Sequence, residues 1–203
     1  MSKKFANLEA FFEKKFGVVG ASIALFILEV LQIIVISAAI IIPIRYFLIQ
    51  PFYVKGASME PNFYDQEYLI IDELSFRLHP PTRGEIVVFR YPRDPSQFFI
   101  KRVIGLPGET VEIGGGHVTI YNTDHPNGII LDETAYLGDV KSDGTKKTTL
   151  GSNEYWVMGD NRPESMDSRS FGPVTIDHFI GRVWVRGLPV TRATVFHDPL
   201  YNL

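Results

Sequence analysis

The 203-residue sequence contains no cysteine. This absence excludes a disulfide framework, thiol catalysis and thiolate metal sites. A His-Glu-x-x-His motif, with which many metalloproteases bind zinc, is also missing. The formal net charge is only -3, and the basic residues form no stripe interleaved with aromatic residues. We therefore expect no metal, no cofactor and no nucleic-acid partner.

Charged residues are almost absent from positions 18–48, where only Glu29 and Arg45 carry charge. A membrane-spanning helix needs about 20 predominantly apolar residues, and residues 23–42 supply that length. We predict a membrane anchor over residues 18–49, with membrane lipid as its partner.

A small-residue site inside the apolar run raises an alternative. Ser37-Ala38-Ala39 resembles the cleavage site of a removable signal peptide. The run is too long for a signal peptide, however, and it continues through the isoleucines at positions 40–42. These features favour a retained anchor.

The residues before the apolar run indicate its orientation. They include Lys3, Lys4, Lys14 and Lys15. Basic residues at this distance favour the cytoplasmic side, so we expect a single-pass inner-membrane protein whose following domain is extracytoplasmic. Apolar residues recur at roughly helical spacing among the lysines, at Phe5, Leu8, Phe11, Phe12 and Phe16. This pattern predicts an amphipathic cytoplasmic segment over residues 1–17 that lies on the inner leaflet.

The pattern beyond residue 50 is typical of β-structure. Segments rich in β-branched and aromatic residues are separated by Gly, Pro and Asp, which predicts strands. They cover residues 68–71, 85–89, 98–104, 110–113, 117–121, 155–158 and 179–186. Gly114-Gly115-Gly116 predicts a hairpin turn, because glycine accepts positive φ. We expect a mainly β domain over residues 50–203, with a small polar accessory region near residues 121–153.

Ser58 lies shortly after the anchor in a turn of small residues, Gly56-Ala57-Ser58-Met59-Glu60-Pro61. A serine hydroxyl is a poor nucleophile until a base removes its proton. Lys101 is a candidate base, because it interrupts the apolar strand predicted over residues 98–104. Burial would lower the pKa of its amine and increase the neutral fraction. Taken singly, a turn serine and a lysine that faces water would be ordinary structural residues.

A second cation, Arg102, follows Lys101 directly. Successive side chains of a regular strand point to opposite faces of the sheet. We therefore expect one of the two side chains to be internal, and a basic role requires that it be Lys101.

A polar loop rich in Asp, Asn, Ser and Gly covers residues 159–169. A solvated turn is its plain interpretation. In the functional interpretation, Ser165 hydrogen-bonds the lysine amine and orients it. Asp167 and Arg169 then form a charge-assisted pair that stiffens the loop.

Together these segments resemble bacterial type I signal peptidases, the membrane-anchored Ser/Lys endopeptidases that release secreted proteins. The motifs are Ser58-Met59-Glu60-Pro61, Lys101-Arg102-Val103-Ile104-Gly105-Leu106-Pro107-Gly108-Glu109, Gly159-Asp160-Asn161-Arg162 with Ser165, Asp167, Ser168 and Arg169, and Ile180-Gly181-Arg182-Val183. The resemblance covers the anchor and most of the domain. It implies a mainly β, signal-peptidase-like catalytic domain with an N-terminal transmembrane helix.

The resemblance also implies the roles of single residues. Ser58 would be the nucleophile and Lys101 the general base of an acyl transfer. The supporting residues would be Gly159, Ser165, Asp167 and Arg169. The substrates would be preproteins whose signal peptides carry small residues, such as alanine, one and three positions before the cut.

A substrate in extended conformation would pair with the segment of residues 52–56. We expect Phe52, Val54 and Met59 to form the walls of shallow apolar pockets that reject large side chains.

Two positions depart from the family pattern. The family usually has Thr-Leu after the proline, where this chain has Asn62-Phe63. Some members carry a hydroxyl residue where this chain has Gly56. Without that hydroxyl, the oxyanion would rely on backbone N–H groups, chiefly that of Ser58.

Two other functions compete with this interpretation. Asp177-His178 or His197-Asp198 could supply a Ser-His-Asp triad, although adjacency in sequence does not form one. Alternatively, the chain is a membrane-anchored β-domain that binds extracytoplasmic partners without protease activity. Such a binding protein would keep its activity in a Ser58→Ala variant, whereas a protease would lose it.

Overall fold

The computed structural model describes residues 3–47, 49–197, 199 and 201. The chain forms two compact units, Met1–Phe47 and Leu48–Leu203. The first is helical and the second is built mainly from β-strands. The predicted fold class, a mainly β protein with an N-terminal apolar helix, is confirmed.

Helix α1 covers Lys3–Phe47 and is interrupted at Gly17, whose φ of 71° and ψ of 171° are not helical. The 26-residue part Gly17–Ile42 is long and apolar enough to cross a membrane. Its apolar side chains are largely exposed, as at Ile33 with 64%, so they are available to contact lipid. The amphipathic segment stays a prediction, since its apolar side chains lie outside the described residues: Phe5, Leu8, Phe11, Phe12 and Phe16.

The larger sheet of the second unit has eight strands. They are β1 (Ile49–Tyr53), β2 (Tyr68–Asp72), β3 (Ile86–Tyr91), β4 (Asp94–Gly105), β9 (Glu154–Met158), β10 (Val174–Thr175), β11 (Phe179–Leu188) and β12 (Thr194–Val195). Their order is β1-β2-β11-β3-β4-β9-β10, with β12 paired to β11. All pairings are antiparallel. The short helices are α2 (Ser75–Leu78), α3 (Thr134–Leu137) and α4 (Ser168–Phe171), with 3₁₀ helices at Ile176–His178 and Val190–Arg192.

The smaller sheet has four strands in the order β7-β6-β5-β8. They are β5 (Thr110–Gly114), β6 (His117–Tyr121), β7 (Ile129–Ile130) and β8 (Lys146–Thr149). The predicted hairpin joins β5 to β6, and Gly115 and Gly116 have φ of 61° and 85° there. The buried side of this sheet forms one core cluster with Trp156 and Met158 of β9. The small sheet therefore packs against strands β4 and β9 on the face that carries Ile104, opposite to the side chain of Lys101.

The strands that were predicted from sequence all occur, and five short ones were not predicted. Strands β7, β10 and β12 have two residues each, too few for an alternating pattern to be recognised. Strand β8 is polar, with the sequence Lys-Lys-Thr-Thr, and β1 contains Pro51, a residue that sheets accept at their edges.

Strand β4 lies inside the large sheet between β3 and β9. Val103, on the Lys101 side of the strand, and Ile104, on the Arg102 side, are both fully buried in separate core clusters. Both faces of β4 are thus covered at this point. As a result Lys101 and Arg102 are each 4% exposed, whereas strand alternation alone led us to expect only one internal side chain.

Candidate active site

The serine segment, residues 56–63, forms a tight turn after strand β1. The Glu60 N–H donates to the Ala57 carbonyl at 3.1 Å, and the Phe63 N–H donates to the Met59 carbonyl at 2.9 Å. Met59 and Phe63 are 1% and 0% exposed. The turn is therefore anchored in the core, while Ser58 between these contacts stays half-buried.

Lys101 Nζ lies 2.8 Å from Ser58 Oγ and donates to the Ile100 carbonyl at 2.7 Å. Burial lowers the pKa of the Lys101 amine from 10.5 to about 8, and the charges of Asp167 and Asp160 limit this shift. At pH 8 roughly half of such an amine is neutral, against roughly 0.3% of an ordinary lysine. The site therefore holds a base of suitable strength in contact with a hydroxyl.

Arg102, on the other side of β4, is held by a carboxylate. Its Nε and NH2 groups donate to Asp160 Oδ1 and Oδ2 at 2.8 and 2.7 Å, and NH1 donates to the Gly84 carbonyl at 2.9 Å. Burial alone would lower the pKa of Arg102, but the charge and hydrogen bonds of Asp160 raise it on balance. Arg102 therefore stays a cation. This pair was not predicted from sequence, since the two residues are far apart along the chain.

Asp167 and Arg169 form the predicted ion pair. Asp167 Oδ2 accepts from Arg169 NH2 at 2.8 Å and from the Gly159 N–H at 3.1 Å. Arg169 NH2 also donates to the Arg162 carbonyl at 2.6 Å. Burial alone would raise the pKa of Asp167, but the hydrogen bonds and charge of Arg169 lower it on balance. The charged pair thus connects both ends of the loop that begins at Gly159.

Gly159 is the point where this loop approaches the serine segment. A Cβ atom at this position would overlap the Ser58 carbonyl oxygen and Ser165 Oγ. Ser165 Oγ is buried and receives no hydrogen bond of regular geometry from the described residues, although its nearness to Asp167 helps to lower the pKa of that carboxyl. Within the described residues the Lys101 amine bonds Ser58 rather than Ser165, so an orienting role for Ser165 stays a prediction.

A cleft of about 670 Å³ opens beside Ser58 and Lys101. Phe52 and Val54, two of the predicted pocket walls, line it. Met59, by contrast, is buried in the core beneath the turn and is not among the lining residues of the described chain. Other apolar lining residues are Leu69, Val88, Phe98, Phe99, Ile100 and Met166. Of these, Phe99 could have been found from sequence, because it lies two positions before Lys101 on the same strand face.

The histidines do not reach the cleft. No histidine is among its lining residues in the part of the chain that the structure describes. His178 instead has Nδ1 3.0 Å from Thr175 Oγ1. A Ser-His-Asp triad around Ser58 is therefore not supported.

A serine hydroxyl in contact with a base can form an acyl-enzyme, and a lysine amine is one of the bases that serine hydrolases use. Residues 27–187 match the family model described as "Signal peptidase, peptidase S26". The chain therefore belongs to the signal peptidase family, peptidase S26, as its motifs predicted. Its enzyme class is accordingly that of the serine proteases.

Two relatives with similar sequences agree with this family. The probable signal peptidase I-2 of Synechocystis sp. is 37% identical over 177 residues, which cover 84% of this chain and 78% of that protein. The signal peptidase I of Leptolyngbya laminosa is 36% identical over 82% of each chain. A crystal structure of a signal peptidase I from Enterococcus faecalis has 33% identity and a TM-score of 0.43, and covers 51% of this chain and 97% of that one.

Proposed function

We propose that this protein is a membrane-anchored serine endopeptidase that removes N-terminal signal peptides from exported preproteins, with Ser58 as nucleophile and Lys101 as general base. The observation that carries the proposal is the 2.8 Å distance between Ser58 Oγ and Lys101 Nζ. The lowered pKa of the buried amine supports it. Membership of the signal peptidase family gives the substrate class.

The reaction is an acyl transfer in two halves. Neutral Lys101 accepts the proton of Ser58 Oγ, which attacks the scissile carbonyl and forms a tetrahedral oxyanion. The Lys101 ammonium returns its proton to the departing amine, and the C–N bond breaks to leave an ester on Ser58. Lys101 then takes a proton from a water molecule, which hydrolyses the ester and restores the Ser58 hydroxyl.

The oxyanion needs hydrogen-bond donors at the serine turn. The Gly56 N–H is already used, since it donates to Asp65 Oδ1 at 2.8 Å. The backbone N–H of Ser58 is therefore the donor that we assign to the oxyanion.

The substrate enters the cleft in an extended conformation. Strand β1 lies at the end of the large sheet's strand order, which supports pairing of an added substrate strand with the segment that follows β1. Phe52 and Val54 contribute apolar walls, which favours small residues such as alanine next to the cut.

The apolar helix and its flanking charge support the proposed membrane topology. Gly17–Ile42 is long enough to cross a bilayer, and Lys14 and Lys15 precede it in exposed positions. Basic residues at this end favour a cytoplasmic N-terminus. The catalytic unit is then extracytoplasmic, on the side where the ends of exported signal peptides emerge.

The test uses the full chain in lipid vesicles and a precursor with an Ala-x-Ala sequence before its cut. We expect Ser58→Ala and Lys101→Met each to abolish cleavage, because one removes the nucleophile and the other the base while both preserve folding. Lys147→Met is the matched control, as Lys147 is an exposed lysine of the small sheet. Near-normal processing by either active-site variant would refute the proposed roles.

The same variants test the competing function. A membrane-anchored binding protein would retain its activity in Ser58→Ala, because its serine would be a turn residue only. Ser58 is in direct contact with the Lys101 amine, whose lowered pKa allows it to act as a base, and this contact favours a protease over a binding protein.

A further inference from the structure

Asn62 joins the serine segment to two other segments of the chain. Its Nδ2 group donates to Asp160 Oδ2 at 2.8 Å and to the Tyr136 carbonyl at 2.9 Å. Asp160 is at the same time paired with Arg102, the residue next to Lys101. One amide group thus connects the serine segment directly to the loop after β9 and to helix α3, and through Asp160 to strand β4.

The serine segment is attached to the same loop at its other end. Asn161 Nδ2 donates to the Ala57 carbonyl at 3.0 Å, and the Asn161 N–H donates to the Ser58 carbonyl at 3.1 Å. Asp160 holds Asn62 and its neighbour Asn161 holds Ser58. Two attachment points prevent the turn from rotating, whereas a single one would act as a pivot.

The apolar anchors of the turn do not set this orientation by themselves. Met59 and Phe63 are fully buried, but apolar contacts are non-directional. Hydrogen bonds are directional and weaken steeply as their angles depart from linearity. The two bonds that the Asn62 side chain donates therefore add directional restraint at this end of the turn, beside the Phe63 N–H bond to the Met59 carbonyl and the Arg186 bond to the Asn62 carbonyl.

We propose that Asn62 is a positioning residue that holds Ser58 Oγ within reach of Lys101 Nζ, an inference that rests on the proposed roles of those two residues. It acts through Asp160 and Arg102, which are 1% and 4% exposed and fixed to each other by two hydrogen bonds. Because Asp160 and Arg102 are rigidly paired, they provide a fixed reference to which Asn62 ties the serine segment.

The side-chain chemistry explains why an amide suits this position. An Asn NH2 group has two donors, and both are used here, towards Asp160 and Tyr136. A threonine, which the family pattern places here, has one donor on a shorter side chain. A leucine has a similar shape to asparagine and no donor.

The experiment compares Asn62→Leu and Asn62→Thr with the unchanged full-length enzyme in vesicles, with kcat and KM measured separately on the Ala-x-Ala precursor. We expect kcat of Asn62→Leu to fall about 100-fold, the scale of a misplacement of about 1 Å at an active site. The kcat of Asn62→Thr should lie between those of Asn62→Leu and the unchanged enzyme, since threonine keeps one hydrogen-bond donor. KM should change less than about threefold, because Asn62 is not among the cleft-lining residues that the structure describes.

Controls separate positioning from folding. Asn153→Leu removes an exposed asparagine and should leave kcat unchanged. The folded fraction of each variant is measured by circular dichroism, and kcat is expressed per folded enzyme, a quantity that a purely structural role would not change. If Asn62→Leu does not fold, the test uses Asn62→Thr alone. The inference then requires the kcat of Asn62→Thr to be lower than that of the unchanged enzyme.

Ser58→Ala, assayed in parallel, distinguishes two kinds of failure. An inactive Ser58→Ala together with a normal kcat in the Asn62 variants would overturn this inference and leave the proposed function standing. An active Ser58→Ala would overturn both. Equal kcat in Asn62→Thr and Asn62→Leu, both at the level of the unchanged enzyme, would also overturn the inference.

Discussion

Strand β4 separates two regions that shift the pKa of a buried basic side chain in opposite directions. On the cleft side, Lys101 is 4% exposed and its pKa falls to about 8. On the opposite side, Arg102 is equally buried but its pKa is raised. The residues are neighbours in sequence, so the difference does not come from position along the chain.

The difference comes from the counter-ion. Asp160 contacts Arg102 with both carboxylate oxygens, whereas it reaches Lys101 only as a more distant charge. A buried charge is stable when a partner pairs with it directly, and otherwise the neutral form is favoured. One strand can therefore present an amine of lowered pKa to the cleft and a fixed cation to the core.

The largest effect on precursor cleavage should come from replacing Lys101, on the cleft side of β4, with arginine. In Lys101→Arg the guanidinium remains protonated at every working pH, so Ser58 has no base. We expect precursor cleavage to fall by about 10⁴-fold or more, as when a residue of a catalytic group is removed. The control Lys147→Arg, at an exposed position, should leave precursor cleavage unchanged. If the Lys101→Arg enzyme kept an activity within about tenfold of normal, a basic role for Lys101 would be contradicted.

The opposite side is disrupted by Asp160→Asn, which leaves Arg102 buried without its carboxylate. Removing one partner of a buried ion pair destabilises proteins by about 3–5 kcal/mol. We expect a loss of this size in the free energy of unfolding, measured by urea denaturation. The control Asp143→Asn, at an exposed carboxylate, should change the free energy of unfolding by less than about 0.5 kcal/mol. An equally small loss in Asp160→Asn would mean that Arg102 does not need its counter-ion.

A smaller effect is expected where the loop of Asp160 touches the serine segment. In Gly159→Ala the new methyl group would overlap the Ser58 carbonyl and Ser165 Oγ, so the nucleophile must shift. We expect kcat to fall about 100-fold. Gly114→Ala is the matched control because space is open there, and a Gly159→Ala enzyme with normal kcat would show that the close approach is not needed.

The most gradual effect is that of pH. Since burial lowers the pKa of Lys101 to about 8, the neutral fraction rises about tenfold per pH unit below this value and levels off above it. The ratio kcat/KM should follow this curve for the unchanged enzyme, with lower activity on the acidic side. A profile that is flat from pH 6 to pH 9 would mean that Lys101 is not the titrating base.

Much of the site was readable from sequence because its chemistry depends on rare combinations of residues. A lysine inside an apolar strand, a serine after a membrane anchor and a polar loop with Asp167 and Arg169 predicted which segments would meet. In the structure Ser58 Oγ and Lys101 Nζ are 2.8 Å apart, and the Asp167–Arg169 pair is present.

Other parts could not be read in this way. The pairing of Arg102 with Asp160 and the contacts of Asn62 join residues that are far apart in sequence, and no local pattern marks such contacts. Met59 was expected in a pocket wall but is buried in the core, because the direction of a turn side chain depends on how the whole turn is docked.

The sequence by itself determined the strands with clear alternation, the apolar helix and the identity of the reactive groups, since these depend on local periodicity and on side-chain chemistry. Only the tertiary structure decided which of the two buried cations would have its pKa lowered. The reason is that the charge state of a buried group depends on its surroundings in three dimensions: Asp160 pairs directly with Arg102, whereas no carboxylate among the described residues pairs directly with the desolvated Lys101.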